Sequence, residues 1–248
     1  MPVLNSQNMT THKIDGTGYG FSAKRIEDLG ASEYTLVGIA TDSSGSVCGF
    51  QKPMDECIKN VVLSCRRSPR CDNLMLRLSC FDTHIREIHG FKTLGECNPD
   101  DYDGTVRPGS ATALYDAAVN MVESVNRYGK DLIDQDYDAN GIVVVITDGM
   151  ENASKLTVDS LKRALEDSVK GEKLESMVSI LVGVNVDAST GFSQYLDNLR
   201  RDAGFTQYVA IDKADEKTLA KLADFVSRSI SSQSQALGTG GPSQSLTF

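Results

Sequence analysis

The stretches 34–42 (YTLVGIATD) and 141–148 (GIVVVITD) are nearly continuous apolar, β-branched runs, and both end on Thr-Asp. A strand that is apolar on both faces has to be covered on both, which points to a parallel sheet between layers of helix. Three further runs have this character, at 74–81 (LMLRLSCF), 177–184 (MVSILVGV) and 206–211 (TQYVAI). Between the runs the apolar spacing changes to threes and fours, the mark of one buried helical face. Met54, Ile58, Val61, Val62 and Cys65 define a first helix, and Leu114, Ala117, Ala118, Met121, Val122 and Val125 a second. Leu161, Leu165 and Val169 define a third, a fourth is expected at 191–203, and Leu219, Leu222, Ala223, Val226 and Ile230 define the last. The alternating run 84–91 (HIREIHGF) follows 74–81 too closely for a helical crossover, so it is expected to be an antiparallel edge strand. The fold class is therefore α/β: a doubly wound, mostly parallel six-stranded sheet with helices on both faces and one antiparallel edge strand.

The 248 residues divide into a polar, Gly-rich extension at 1–33, a domain at 34–230, and a Ser/Gln/Gly-rich tail at 231–248. The tail carries little apolar surface to offset ordering entropy and is expected to be flexible. Acidic side chains outnumber basic ones, 34 to 25, and a net charge of −9 argues against binding a phosphate backbone, so no nucleic-acid partner is expected. No apolar run reaches the roughly 18 residues of a membrane span, and the start MPVLNSQNMTTHKIDG lacks a signal-peptide apolar core. A cytoplasmic protein, or a virion protein if phage-encoded, is the expectation. The six cysteines show no CxxC spacing and are accompanied by three histidines, which favours reduced thiols over a zinc site. The sequons at Asn8 and Asn152 read as chance matches.

In a doubly wound sheet the ligand crevice lies beyond the carboxyl ends of the strands, where strand order reverses. Asp42 and Asp148 share that edge of the sheet, and they face one crevice if their strands are neighbours. Two carboxylates brought together repel, and a divalent cation resolves the repulsion. The loop DSSGS supplies Ser44 and Ser46, with Gly45 allowing a tight turn, and Thr112 in RPGSATALYD supplies a further hydroxyl. An all-oxygen set without His or thiolate suits Mg2+ better than zinc, with Mn2+ or Ca2+ as alternatives. With two formal charges among neutral hydroxyls, the ion would stay electrophilic and accept one more carboxylate from outside.

Asp42-x-Ser44-x-Ser46, then Thr112 in GSATALYDA, then Asp148 in ITDGMENAS, resembles the metal ion-dependent adhesion site of von Willebrand factor type A (vWA) domains. The resemblance spans roughly residues 34–230 and is strongest to stand-alone bacterial and bacteriophage members. It implies a six-stranded, largely parallel sheet in which Ser44, Ser46 and Thr112 coordinate Mg2+ and Asp42 and Asp148 act directly or through water. It implies a non-enzymatic activity, metal-dependent binding of a protein partner whose Glu or Asp completes the coordination sphere. One departure is GSAT, where many members carry Gly-Gly-Thr, which leaves Ser110 as a competing hydroxyl. In the family, shifts of the last helix couple to the metal; here its apolar spacing favours plain core packing.

Two other functions compete. The chain could be a structural subunit of a phage virion or bacterial multi-protein assembly, with the metal site vestigial. It could also be a metal-dependent phosphohydrolase, since haloacid dehalogenase-like enzymes begin with an aspartate at a strand end. Those enzymes need a second carboxylate two residues later, where Ser44 stands, and Met150 rather than Asp follows VITDG. The acidic run 134–141 (DQDYDANG) imitates a Ca2+ loop but has Ala139 at the required Gly and Val145 at the terminal Glu, so it reads as a solvated loop. His84 and His89 read as structural or exposed rather than catalytic.

Overall fold

A computed structural model describes residues 8–14, 17–186 and 191–248. The strands are β1 (Met9–Lys13), β2 (Gly20–Lys24), β3 (Glu33–Asp42), β4 (Leu74–Phe81), β5 (Ile85–Thr93), β6 (Asp138–Thr147), β7 (Met177–Val184) and β8 (Gln207–Ile211). The helices are α1 (Gln51–Arg66), α2 (Leu114–Ile133), α3 (Val158–Lys170), α4 (Phe192–Ala203) and α5 (Glu216–Thr239). One sheet runs in the order β1-β2-β5-β4-β3-β6-β7-β8. From β3 the chain builds outward through β4 and β5, then α2 carries it back to β6 on the other side of β3, and β7 and β8 follow. The reversal of strand order thus falls between β3 and β6, which pair in parallel from Glu33↔Asp138 to Thr41↔Ile146.

Alternation along each strand divides the core in two. Val37, Ile39, Leu76, Leu78, Ile142, Val144, Ile180 and Val182 pack with α1 and α5. Leu36, Ala40, Met75, Val143, Val145 and Leu181 pack on the opposite face with α2, α3 and α4. α2 lies close over the central strands because Gly38 leaves room for it: a Cβ there would sit 2.6 Å from Met121 Sδ and 3.3 Å from Val125 Cγ2. That approach brings the N-terminus of α2, and Thr112 just before it, to the carboxyl ends of β3 and β6.

The sheet has eight strands rather than the six expected, and β5, although antiparallel to β4, is not an edge. The two extra strands come from the segment read as an extension. β2 is antiparallel to β1 and lies parallel beside β5 through the pair Ala23↔Phe91, so the edges are β1 and β8. Buried Phe21 and Ala23 give β2 its anchorage, with Phe21 edge-on to Phe91 at 6.0 Å between ring centroids. The last helix, whose apolar marks in the sequence stop at Ile230, continues to Thr239. Its added turns are buried through polar contacts: Gln233 Nε2 donates to Gly141 O at 3.1 Å and Ser176 Oγ at 3.0 Å, and Arg70 Nε donates to Ser234 Oγ at 2.9 Å. Beyond it Gln207 Nε2 donates to Leu246 O at 2.8 Å, and the Phe248 ring meets buried Phe225.

Candidate metal centre

β3 and β6 end side by side, and their last residues carry the carboxylates. Asp42 is 2% exposed. Its Oδ1 accepts a hydrogen bond from Ser44 N at 2.7 Å and its Oδ2 one from Thr147 Oγ1 at 2.6 Å. The loop after β3 turns sharply through a short helical turn at Gly45–Val47, and this brings the two serines together. Ser44 Oγ lies 2.9 Å from Ser46 Oγ, and Ser46 Oγ donates to Asp148 Oδ1 at 2.8 Å. Thr112 is buried, and a Cβ on Gly149 would lie 3.1 Å from Thr112 Oγ1 and 3.9 Å from Ser46 Oγ. The five residues expected from the sequence therefore gather at one place, contributed by three loops.

Backbone contacts fix those loops to each other. Ser43 N donates to Phe81 O at 2.7 Å, Gly109 N to Ser43 O at 2.6 Å, Gly45 N to Ser110 O at 3.0 Å and Ala113 N to Asp82 O at 2.8 Å. Ser110, the competing hydroxyl, is engaged elsewhere, with its Oγ 3.0 Å from Thr83 Oγ1. Asp55, buried on α1, anchors the loop before Thr112 by accepting from Gly104 N, Thr105 Oγ1 and Val106 N. Thr147 was not singled out from the sequence. The available signal is the repeated Thr-Asp, but only Thr147 reaches the opposing aspartate, while Thr41 Oγ1 has no hydrogen-bond partner. His84 is exposed at the rim, and His89 is buried against Tyr102, its pKa pushed down to about 3 mainly by burial.

The carboxylates sit on an apolar floor of Val47, Phe50, Met54, Ile146 and Val184. Burial raises the pKa of Asp42, opposed by hydrogen bonds from Thr147 and Ser44. Asp148 is pushed up to about 6, first by burial and then by the charge of Asp42. The chemistry of this set fits a hard divalent cation: two carboxylates that oppose each other, and three hydroxyl oxygens around them. Among the described residues no cluster of three or more His, Cys, Asp or Glu is placed to hold a metal, so a cation here would depend on the hydroxyls. A proton on Asp148 competes with any such cation. Mg2+ affinity measured by titration calorimetry is expected to fall by about tenfold per pH unit below the Asp148 pKa and to level off above it. An affinity indifferent to pH across that range would contradict direct use of this carboxylate.

No protein-family model matches the sequence, and no curated protein matches it. Solved structures do match. The PilB minor pilin from Streptococcus sanguinis superposes with a TM-score of 0.60 at 15% identity, over 89% of this chain and 66% of that one. The vWF domain of the type V pili tip protein Mfa5 from Porphyromonas gingivalis gives 0.56 at 8% identity, over 88% of this chain and 99% of that one. The fold is vWA-like. The pilus adhesin SpaC from Lactobacillus rhamnosus GG gives 0.57 at 9% identity, over 91% of this chain and 34% of that one. The chain thus spans just under two thirds of the PilB minor pilin and about a third of SpaC. At these identities the likeness is one of fold.

Proposed function

We propose that this chain is a non-enzymatic, Mg2+-dependent protein-binding module whose metal accepts a Glu or Asp from its partner. The observation that carries this reading is the convergence of Asp42, Ser44, Ser46, Thr112 and Asp148 at the reversal point of a vWA-like sheet. Ser44, Ser46 and Thr112 would hold the ion, and Asp42, with both oxygens already accepting hydrogen bonds, would act through bridging water. The ion supplies an electrophilic position for a carboxylate; the chain supplies the rigid oxygens that orient it. Ser44 at the second position after Asp42 argues against a haloacid dehalogenase-like phosphohydrolase, which needs an acid there.

The partner is a protein, and the acid excess of the chain disfavours nucleic acid. Membership of a larger assembly is a second reading, favoured by the pilus proteins among the structural neighbours. Among the described residues no helix is long and apolar enough to cross a membrane. The six free thiols, four of them buried, suit the cytoplasm, or a virion assembled there. Pull-down from host lysate with the native chain and with Asp42→Ala, each in Mg2+ and in EDTA, tests the reading. Capture is expected only for the native chain in Mg2+, and free glutamate-containing peptide should compete with it. Capture that survives both EDTA and Asp42→Ala would leave the assembly reading standing without the metal.

A further inference from the structure

α2 starts without a cap of its own, because Ala113 precedes it and has no side-chain acceptor. Its first N–H groups are met from elsewhere. Tyr115 N donates to Glu151 Oε2 at 3.0 Å, and Asp116 N donates to Ser154 Oγ at 3.1 Å. Both acceptors belong to the loop after β6, which Glu151 folds on itself by accepting from Ala153 N at 2.8 Å, Ser154 N at 2.6 Å and Ser154 Oγ at 2.7 Å. Asp116, 1% exposed, answers by accepting from Lys155 N at 3.1 Å and Leu156 N at 2.8 Å. Asn152 has a separate place in this interlock. Its Oδ1 accepts from Thr112 N at 2.8 Å, and its own N–H donates to Thr112 O at 3.1 Å. One residue thus holds both main-chain polar groups of Thr112 and leaves Oγ1 beside Gly149.

We propose that Asn152 is a positioning residue of the metal centre, tying Thr112 to the loop that carries Asp148. The inference rests on reading Asp42, Ser44, Ser46, Thr112 and Asp148 as a Mg2+ site. Mg2+ tolerates little departure from octahedral geometry, so a hydroxyl ligand contributes fully only when its backbone is already fixed. Thr112 and Asp148 lie 36 residues apart and on different loops, and neither loop fixes the other through the ligands themselves. Asn152, four residues beyond Asp148, supplies that connection with a side chain that need not touch the ion. Outer groups of this kind typically change metal affinity by about 10–100-fold when removed.

The test compares Asn152→Leu, which loses the acceptor, with Asn152→Asp, which keeps an oxygen facing Thr112 N. The control is Asn126→Ala, which removes a buried bond from α2 to Ala164 O far from the site. Three quantities are read: the Mg2+ dissociation constant by calorimetry, amide exchange at Thr112 in EDTA, and the unfolding midpoint in EDTA. For Asn152→Leu, exchange at Thr112 should accelerate and Mg2+ affinity should fall by about 10–100-fold. Asn152→Asp should keep Thr112 protected and bind Mg2+ at least as well as the native chain, while Asn126→Ala should lower the midpoint without changing the affinity. Native-like Mg2+ affinity in Asn152→Leu despite fast Thr112 exchange would overturn the inference and leave the metal site intact. Loss of affinity in Asn152→Asp with Thr112 still protected would also overturn it. A native chain that binds no Mg2+ would remove the site itself, and the inference with it.

Discussion

Asp148→Asn is expected to raise the unfolding midpoint of the metal-free protein at neutral pH and to show none of the further rise expected of the native chain in Mg2+. The first half follows from proton linkage. In the folded chain the Asp148 pKa is pushed up to about 6 from an ordinary 3.8, by burial first and by Asp42 second. A carboxylate raised in this way favours the fold at pH below its unfolded value, and the benefit is lost as pH rises through the folded value. At neutral pH the buried Asp148 charge, beside that of Asp42, therefore opposes folding, by roughly 1–2 kcal/mol once solvent screening is allowed for. The amide removes one charge and the opposition with it.

The second half follows from mass action. A ligand that binds only the folded state stabilises it by about 2.7 kcal/mol at about 100 times its dissociation constant. Each kcal/mol moves the midpoint of a chain of this size by about 2–4 °C, so saturating Mg2+ should lift the native chain by roughly 5–10 °C over EDTA. Asp148→Asn should show no lift. Thermal melts of both proteins, each in Mg2+ and in EDTA, give all four values. A variant less stable than the native chain in EDTA, or one that still responds to Mg2+, would take Asp148 out of the proposed centre.

The parts legible in the sequence are those whose burial is apolar. β4 and β7 begin and end where their runs do, and β3 and β6 announce themselves as continuous β-branched strands. That Asp42 and Asp148 would share one crevice was legible because both stand at strand ends, where position in the fold follows from topology. Ser44 and Ser46 follow in the next loop, and Thr112, just before α2, was picked out as a further hydroxyl and by the family resemblance. What escaped is held by polar contacts between residues distant in sequence. β2 is bound to β5 partly through Glu87, whose carboxylate accepts from Ser22 N and Ser22 Oγ, and nothing local in GFSAK announces that. The last turns of α5 bury Gln233 and Ser234, residue types that read as a solvated tail. Thr147 became distinguishable from Thr41 only when the register put it opposite Asp42.

Glu87→Ala is expected to lower stability by about 3–5 kcal/mol, because it strands a buried cation. Arg77, in the middle of β4, is fully buried, its side chain held against α2 and near the Phe21 ring of β2. Its Nε donates to Glu87 Oε2 at 2.9 Å, its Nη2 to Asn120 Oδ1 at 2.8 Å and its Nη1 to Ser124 Oγ at 3.2 Å, with the guanidinium carbon 5.8 Å from the Phe21 ring centroid. Glu87 supplies the countercharge, while burial alone pulls the guanidinium pKa down. The midpoint should fall by roughly 6–20 °C. Replacing both partners, as Arg77→Met with Glu87→Leu, should recover most of that loss, since a well-packed apolar pair removes the desolvation cost along with the attraction. The two variants share a second consequence, because either change at Glu87 frees Ser22. Amide exchange in β1 and β2 should therefore be fast in both, even where the double variant has regained its midpoint. A double variant as unstable as the single one would place the cost in the lost hairpin anchor rather than in the stranded guanidinium.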